Sequence, residues 1–253
     1  MYKGFQVEMT DHFSRYRRLG EEVFVQQNRV IRQCLDKYIN LETGSLIGDA
    51  LERDWFPVSA YDVFISHSHD DAEQVAAFVG WLQEKFQLSV FVDSAVWRSA
   101  DHLLEKIDAR YGTDSEGDLD DYRRRNFHAS HVYMMMAMAL GKVIDQTECF
   151  MFVTTPNAVM ESVTRSPWLY VELMFTKLMK KRVPLRRGVK RESKMMAHQE
   201  KQLEVEYDVR SLMSELLVLR KDNLQLWEKM YQHSCCDHAL DVLYAQFDEG
   251  VSR

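Results

Sequence analysis

Three short runs of this chain are apolar at successive positions instead of alternate ones: Tyr61-Asp-Val-Phe-Ile-Ser66, Ser89-Val-Phe-Val-Asp93 and Cys149-Phe-Met-Phe-Val-Thr154. A strand that faces water on one side alternates in polarity. One that is apolar throughout must be covered on both faces, as in the middle of a parallel sheet. Between the first two runs, Val75, Phe78, Val79, Leu82 and Phe86 recur at the 3.6-residue period of a buried helical stripe. Residues 61–93 are therefore predicted to form a βαβ unit. Ser68 is expected to cap its helix, with Asp71 as capping-box partner. Residues 94–100 then read as a loop, 102–107 as a helix and 112–121 as an acidic, glycine-bearing surface insertion. A methionine-rich helix follows over 128–144, its thioethers expected as core filling. Pro167 opens another helix, to about residue 181, at a position where a missing N–H costs nothing. Further on, strands are expected at 182–185 and 205–209, and helices at 195–202, 224–231 and 238–247. Strands alternating with helices predict an α/β fold, a parallel sheet with helices on both faces.

Ahead of this pattern lies a helical segment. Tyr16, Val23, Phe24, Val30, Ile31, Cys34, Leu35 and Tyr38 form a helical stripe, and Pro57 punctuates the chain before the first strand. The expected organisation is an N-terminal helical extension over 1–58 and an α/β domain over 59–253. That domain carries an insertion at about 108–146 and a helical C-terminal segment. The helix from Phe13 to Tyr38 is expected to pack on the domain or on a second copy of it.

Charge narrows the partners. The net charge of −7 argues against a nucleic-acid sheath, which carries a positive field. The basic stretch at 180–191 reads as a solvated loop. No apolar run approaches the length that spans a bilayer, so no membrane partner is expected. The opening residues lack the apolar core of a secretory signal. Cys34, Cys149, Cys235 and Cys236 have no spacing of a disulfide framework, and a reducing cytoplasm is the expected setting.

Ligands of open α/β sheets bind beyond the carboxyl ends of the strands. Here those ends are polar although the strands are not: Ser66, His67 and Ser68 after the first, Asp93 and Ser94 with Trp97 nearby after the second, Thr154 and Thr155 with Asn157 after the third. The helix at Pro167 adds Trp168 and Glu172, which share a face at i and i+4, and Phe175 at i+7. A carboxylate flanked by Trp168 and Phe175 sits at an apolar edge, where desolvation raises its pKa and strengthens its hydrogen bonds.

The opening strand with Ser66-His-Ser-His-Asp-Asp71, the second strand with its loop, Phe150-Met-Phe-Val-Thr-Thr-Pro156 and Ser166-Pro-Trp-Leu-Tyr-Val-Glu-Leu173 together resemble a TIR domain over about residues 60–181. The resemblance implies a flavodoxin-like fold and, as in many bacterial members, NAD+ glycohydrolase or ADP-ribosyl cyclase activity. It places the catalytic glutamate on Glu172 and its aromatic companion on Trp168. It places the loop that helps close the site and mediates assembly on residues 94–100. Ser66, His67, Asp93, Trp97, Thr154 and Phe175 complete the expected substrate site. NAD+ is then a substrate, no cofactor or metal is needed, and self-association through TIR domains is implied. The absence of a recognisable sensor or effector domain fits a producer of an ADP-ribose or cyclic ADP-ribose-type signal acting on a separate effector, as in Thoeris-type anti-phage systems. The chain departs from the family in its N-terminal segment and in the stretch between the 94–100 loop and the third strand.

Other constellations are weaker. His233-Ser-Cys-Cys-Asp-His238 crowds its donors into six residues, whereas structural zinc sites spread them over two pairs. Ser68 has no glycine elbow, and neither a P-loop nor a dinucleotide fingerprint occurs. Two alternatives stay open: a non-catalytic TIR scaffold, and an N-glycosidase acting on another nucleotide or nucleoside.

Overall fold

Five parallel strands form the main sheet: β1 (Lys3–Glu8), β2 (Val63–Ser66), β3 (Val90–Val92), β4 (Cys149–Thr154) and β7 (Leu217–Leu219), in the spatial order β3-β2-β4-β1-β7. The computed structural model describes residues 1–9, 11–27, 35–111, 119–184, 186 and 207–248, and within them leaves aside the side chains at 11–12, 95–98, 119–121 and 207. A small antiparallel pair, β5 (Val163–Thr164) with β6 (Tyr207–Asp208), lies apart. The α/β class and the parallel sheet follow the expectation, and β3-β2-β4 reproduces the flavodoxin-like half of the order. The next two places belong to β1 and β7.

Alternate residues of each strand serve opposite faces, and the two faces differ in character. On one, Phe64 stands in register with Phe91 and with Phe150, their rings stacked at 5.3 and 5.5 Å. Gly4 continues this row beside Phe150. A Cβ there would come 2.5 Å from the side chain of Leu216, so Leu216 fills the place a side chain would take. The aromatic face is covered by α2 (Gly48–Trp55), α4 (Ser94–Tyr111), α5 (Leu119–Gln146), α6 (Pro167–Leu178) and α7 (Arg210–Met213). On the other face, Phe5, Val63, Ile65, Val92 and Met151 meet α1 (Arg17–Gln27), α3 (Ala72–Phe86), α8 (Lys221–Gln232) and α9 (Ala239–Ala245).

Helices α1 and α3 touch backbone to backbone. A Cβ on Gly20 would sit 1.7 Å from the carbonyl oxygen of Ala76, and one on Gly80 2.2 Å from that of Tyr16. Phe13, in a 3-10 turn over Asp11–Tyr16, packs on Phe78 and Trp81 at 5.1 and 4.9 Å. The N-terminal helix thus packs on the domain of its own chain. Gln27 closes α1 against the free edge of β3: its amide donates to the Val90 carbonyl at 2.5 Å and accepts from the Val92 N–H at 3.2 Å.

Several expectations need correction. The single helix expected from Phe13 to Tyr38 is instead a 3-10 turn over Asp11–Tyr16, α1 and a 3-10 turn over Leu35–Tyr38, with 28–34 outside the described residues, and the N-terminal segment also supplies β1, paired to β4 on one side and β7 on the other. Lys3-Gly-Phe-Gln-Val-Glu8 becomes a buried strand because Gln6 finds carbonyl acceptors at Met213 and Leu216, at 2.5 and 3.5 Å. Residues 94–100 are the opening turns of α4, not a loop, with Asp93 accepting from the Ser94 N–H at 2.7 Å. The methionine-rich helix is longer, Leu119–Gln146. Its Met136 is core, but Met134 and Met138 are exposed. Residues 181–184 form no strand, and the helix expected at 195–202 lies outside the described residues. The basic stretch is anchored where it is described: Arg182 pairs with Asp145 at 2.6 Å, and Arg186 with Glu148 and Asp241 at 2.5 and 2.6 Å. Among the described residues no helix is long and apolar enough to cross a membrane.

Candidate active site at the sheet's switch point

From β2 the chain runs through α3 to β3 on one side, then crosses back through α4 and α5 to β4 on the other. The strand order reverses at β2, and in such sheets the crevice beyond the carboxyl ends at that point is the binding place. A cleft of about 310 Å³ lies there, lined by His67, Ser68, His69, Asp93, Ser166, Trp168 and Leu169. That is the lower end of the size range of small-molecule sites.

Glu172 does not line the cleft but is bonded to Ser66, the residue before the lining His67. Ser166 caps α6 by accepting from the Leu169 N–H at 3.3 Å, and Pro167 sets the first turn. One turn further, Glu172 points into the protein and is completely buried. The Ser66 hydroxyl donates to its Oε2 at 2.5 Å. Its Oε1 has no hydrogen-bond partner among the described residues. Burial first, and the negative charge of Asp93 second, push the Glu172 carboxyl well above the usual carboxylate range, while the Ser66 bond pulls the other way. A buried polar atom without a partner is rare enough to require a reason. A ligand in the adjoining cleft is one.

Asp93 and His67 form a second buried pair. His67 Nδ1 lies 2.6 Å from Asp93 Oδ1, with side-chain exposures of 1% and 3%. The direction of that close contact departs from an aligned hydrogen bond, and neither ring nitrogen has a hydrogen-bond partner among the described residues. Asp93 also accepts from the His67 backbone N–H at 3.4 Å. The edge of the His67 ring meets Phe24 of α1 at 6.3 Å.

Of the residues expected in the site, His67, Asp93 and Trp168 line the cleft, whereas Glu172 and Ser66 are fully buried, bonded to each other, and not among its lining residues. Trp168 lines the cleft and meets Tyr133 of α5 edge-on at 5.7 Å. Phe175 is not among the lining residues. Its ring lies over Gly141 of α5, 3.0 Å from where a Cβ would stand. The cleft opens at the N-terminal end of α6, and a residue seven positions past Trp168 lies about 10 Å further along the axis. Thr154 is not among the lining residues either, though its buried hydroxyl lacks a partner among the described residues. The side chain of Trp97 lies outside the described residues.

Ser68 and Asp71 do not form the expected capping box. Ser68 makes no side-chain cap bond, and Asp71 instead receives the Thr155 hydroxyl and the Asn157 amide, the latter at 2.8 Å. This buried carboxylate ties the turn after β4 to the turn after β2 and so sets the rim of the cleft. Asp71→Ala is expected to cost about 1–3 kcal/mol by stranding both donors, read as a shift in a urea midpoint. An unchanged midpoint would show that the tie carries no stability. His69 and Ser166 were not anticipated in the site. Their signal was position, one beside the first strand end and one directly before Pro167.

Among the described residues no group of three or more His, Cys, Asp or Glu side chains is placed to hold a metal ion. No protein-family model matches the chain, and neither a curated protein nor a solved structure does.

Proposed function

We propose that this chain is a TIR-type enzyme that cleaves the nicotinamide–ribose bond of NAD+, releasing ADP-ribose or a cyclic form of it as a signal. The observation that supports this most is Glu172: wholly buried at the switch point, half satisfied by Ser66 and beside a cleft walled by Trp168. Most glycosidases need a second carboxyl group to protonate the leaving oxygen. The nicotinamide of NAD+ is already a cationic pyridinium. It departs neutral, taking the bonding electron pair onto its ring nitrogen, and needs no acid. What remains is to stabilise the positive charge that develops on the ribose, which one buried carboxylate does well at low dielectric.

Burial and Asp93 favour the protonated form of Glu172 before substrate arrives. A pyridinium ring against Trp168 brings the opposing charge, so binding drives the ionisation and releases a proton to solvent. The ring face of Trp168 suits a flat cation. The cleft holds the nicotinamide end, and the adenosine lies outside it. Among the described residues Cys149, Cys235 and Cys236 are free thiols, and a reducing cytoplasm belongs to this reading. Self-association and a separate effector reached by the nucleotide product belong to the same reading.

The test is NAD+ turnover by the purified protein, with nicotinamide, ADP-ribose and cyclic products separated by chromatography. Nicotinamide release is the expected result. If none is released, even at concentrations that force self-association, the enzyme reading fails and a scaffold takes its place. Turnover of other nucleosides or nucleotides in place of NAD+ would point to a different N-glycosidase.

A further inference from the structure

Cleavage by Glu172 leaves one step without a residue. The ribosyl carbon must be captured by a nucleophile, and an oxygen nucleophile must lose a proton in doing so. Four features single out His67. It lines the cleft beside Trp168 and Ser166. Its side chain is 1% exposed, so bulk water does not satisfy it. Its Nδ1 faces Asp93 at 2.6 Å. Its Nε2 has no hydrogen-bond partner among the described residues. An imidazole with a carboxylate close to one nitrogen and the other nitrogen unpartnered at the cleft has the makings of a general base and its orienting group, the aligned hydrogen bonds forming when a nucleophile is bound. Asp93 grips His67 a second time, through the backbone N–H at 3.4 Å, and takes the Ser94 N–H at 2.7 Å. The carboxylate is thereby tied to the start of α4 and cannot swing away without breaking that turn.

We propose that His67 is a second catalytic residue of this site: through Nε2 it accepts the proton of the oxygen nucleophile that captures the ribosyl carbon, and Asp93 is its positioning residue. The inference rests on the NAD+-cleaving reading and adds the capture step to it. The bond from ribose carbon to nicotinamide nitrogen breaks, with its electron pair leaving on nicotinamide. A water oxygen forms the new bond to that carbon, and one water proton passes to His67 and on to solvent. NAD+ and water become ADP-ribose, nicotinamide and one proton. A ribose hydroxyl in place of water makes the same demand.

A neutral pyridine makes no such demand, because its ring nitrogen attacks without a proton to lose. The two captures can therefore be separated in one assay. NAD+ and 3-acetylpyridine are given together, and ADP-ribose is measured against the exchanged dinucleotide. With His67→Gln, hydrolysis is expected to fall about a hundredfold, within the usual range for a general base, while pyridine exchange stays within severalfold of wild type. Retained exchange itself shows that the site is folded. Asp93→Asn is expected to shift the ratio in the same direction and serves if His67→Gln fails to fold. Equal loss of hydrolysis and exchange in a folded variant, or an unchanged ratio in both variants, would overturn the role of His67. Absence of both products from the wild-type protein would instead remove the NAD+ reading on which it stands.

Discussion

Glutamine in place of Glu172 is expected to cut nicotinamide release by about a hundredfold to a thousandfold, the range seen when a single electrostatic stabiliser of a transition state is removed. The same substitution is expected to raise the melting temperature at neutral pH. Both follow from one ionisation. The folded protein holds the Glu172 proton more tightly than the unfolded chain does, through burial and the Asp93 charge. Above the ordinary carboxyl range, near pH 4.3 for an unperturbed glutamate, the folded state therefore binds more protons than the unfolded one. Stability then falls as pH rises, until the folded group has itself ionised. Below that range both states are protonated and the penalty vanishes. Glu172→Gln should consequently be more stable than wild type at pH 7–8 and close to it at pH 4, each kcal/mol gained moving the melting temperature by roughly 2–4 °C in a chain of this size. Activity runs the opposite way. In the proposed reaction the ionised carboxylate is the working form, so wild-type turnover is expected to climb with pH on its acid side. A folded Glu172→Gln protein with full turnover would remove Glu172 from the chemistry. One that melts with an unchanged gap at pH 4 and pH 8 would show that the carboxyl is not held protonated.

The second large effect concerns stability alone. Gly20→Ala and Gly80→Ala are each expected to cost about 3 kcal/mol or more, at the upper end of overpacking. Propensity opposes this, since alanine is favoured over glycine inside a helix by about 1 kcal/mol. The distances decide the sign. The new methyl group on residue 20 would meet the Ala76 carbonyl at 1.7 Å, and that on residue 80 the Tyr16 carbonyl at 2.2 Å. Backbone does not move aside as a side-chain tip does, so α1 and α3 must separate and loosen Phe13 from Phe78 and Trp81. A melting temperature lower by roughly 10 °C is the expected reading for each. The pair should cost less than the sum, because both relieve the same crossing. Gly141→Ala is the control: its neighbour is the Phe175 ring at 3.0 Å, which can tilt, so that variant should stay near wild type. Gly20→Ala and Gly80→Ala proteins as stable as wild type would mean that the helices do not approach this closely.

Legibility in the sequence followed the length scale of the signal. Val63–Ser66, Val90–Val92 and Cys149–Thr154 announce themselves because a strand covered on both faces is apolar at every position. β1 does not, because Lys3, Gln6 and Glu8 break the run. Its burial depends on acceptors for Gln6 that lie over 200 residues away. β7 is apolar throughout but only three residues long, directly between α7 and α8, too short to stand out as a strand. In the site, Trp168 and Glu172 were legible because i and i+4 share a face. Phe175 misled because angular position on a helix says nothing of height along it. The Asp71 tie to Thr155 and Asn157 was out of reach, since a local capping role for Asp71 explained the same residues.

The place of β1 has a kinetic consequence. Phe5 pairs with Met151 and Val7 with Leu219, so the strand must wait for partners roughly 150 and 210 residues further along, and closing such loops comes late and at an entropic cost. Until then β4 offers one unpaired edge, and β7 has no neighbour among the described strands. The sheet is therefore expected to be completed last at β1, with Phe5 and Val7 as the latch. Refolding that stalls with α3 formed but β1 free would present two sticky edges at once, the condition under which chains of this size associate wrongly.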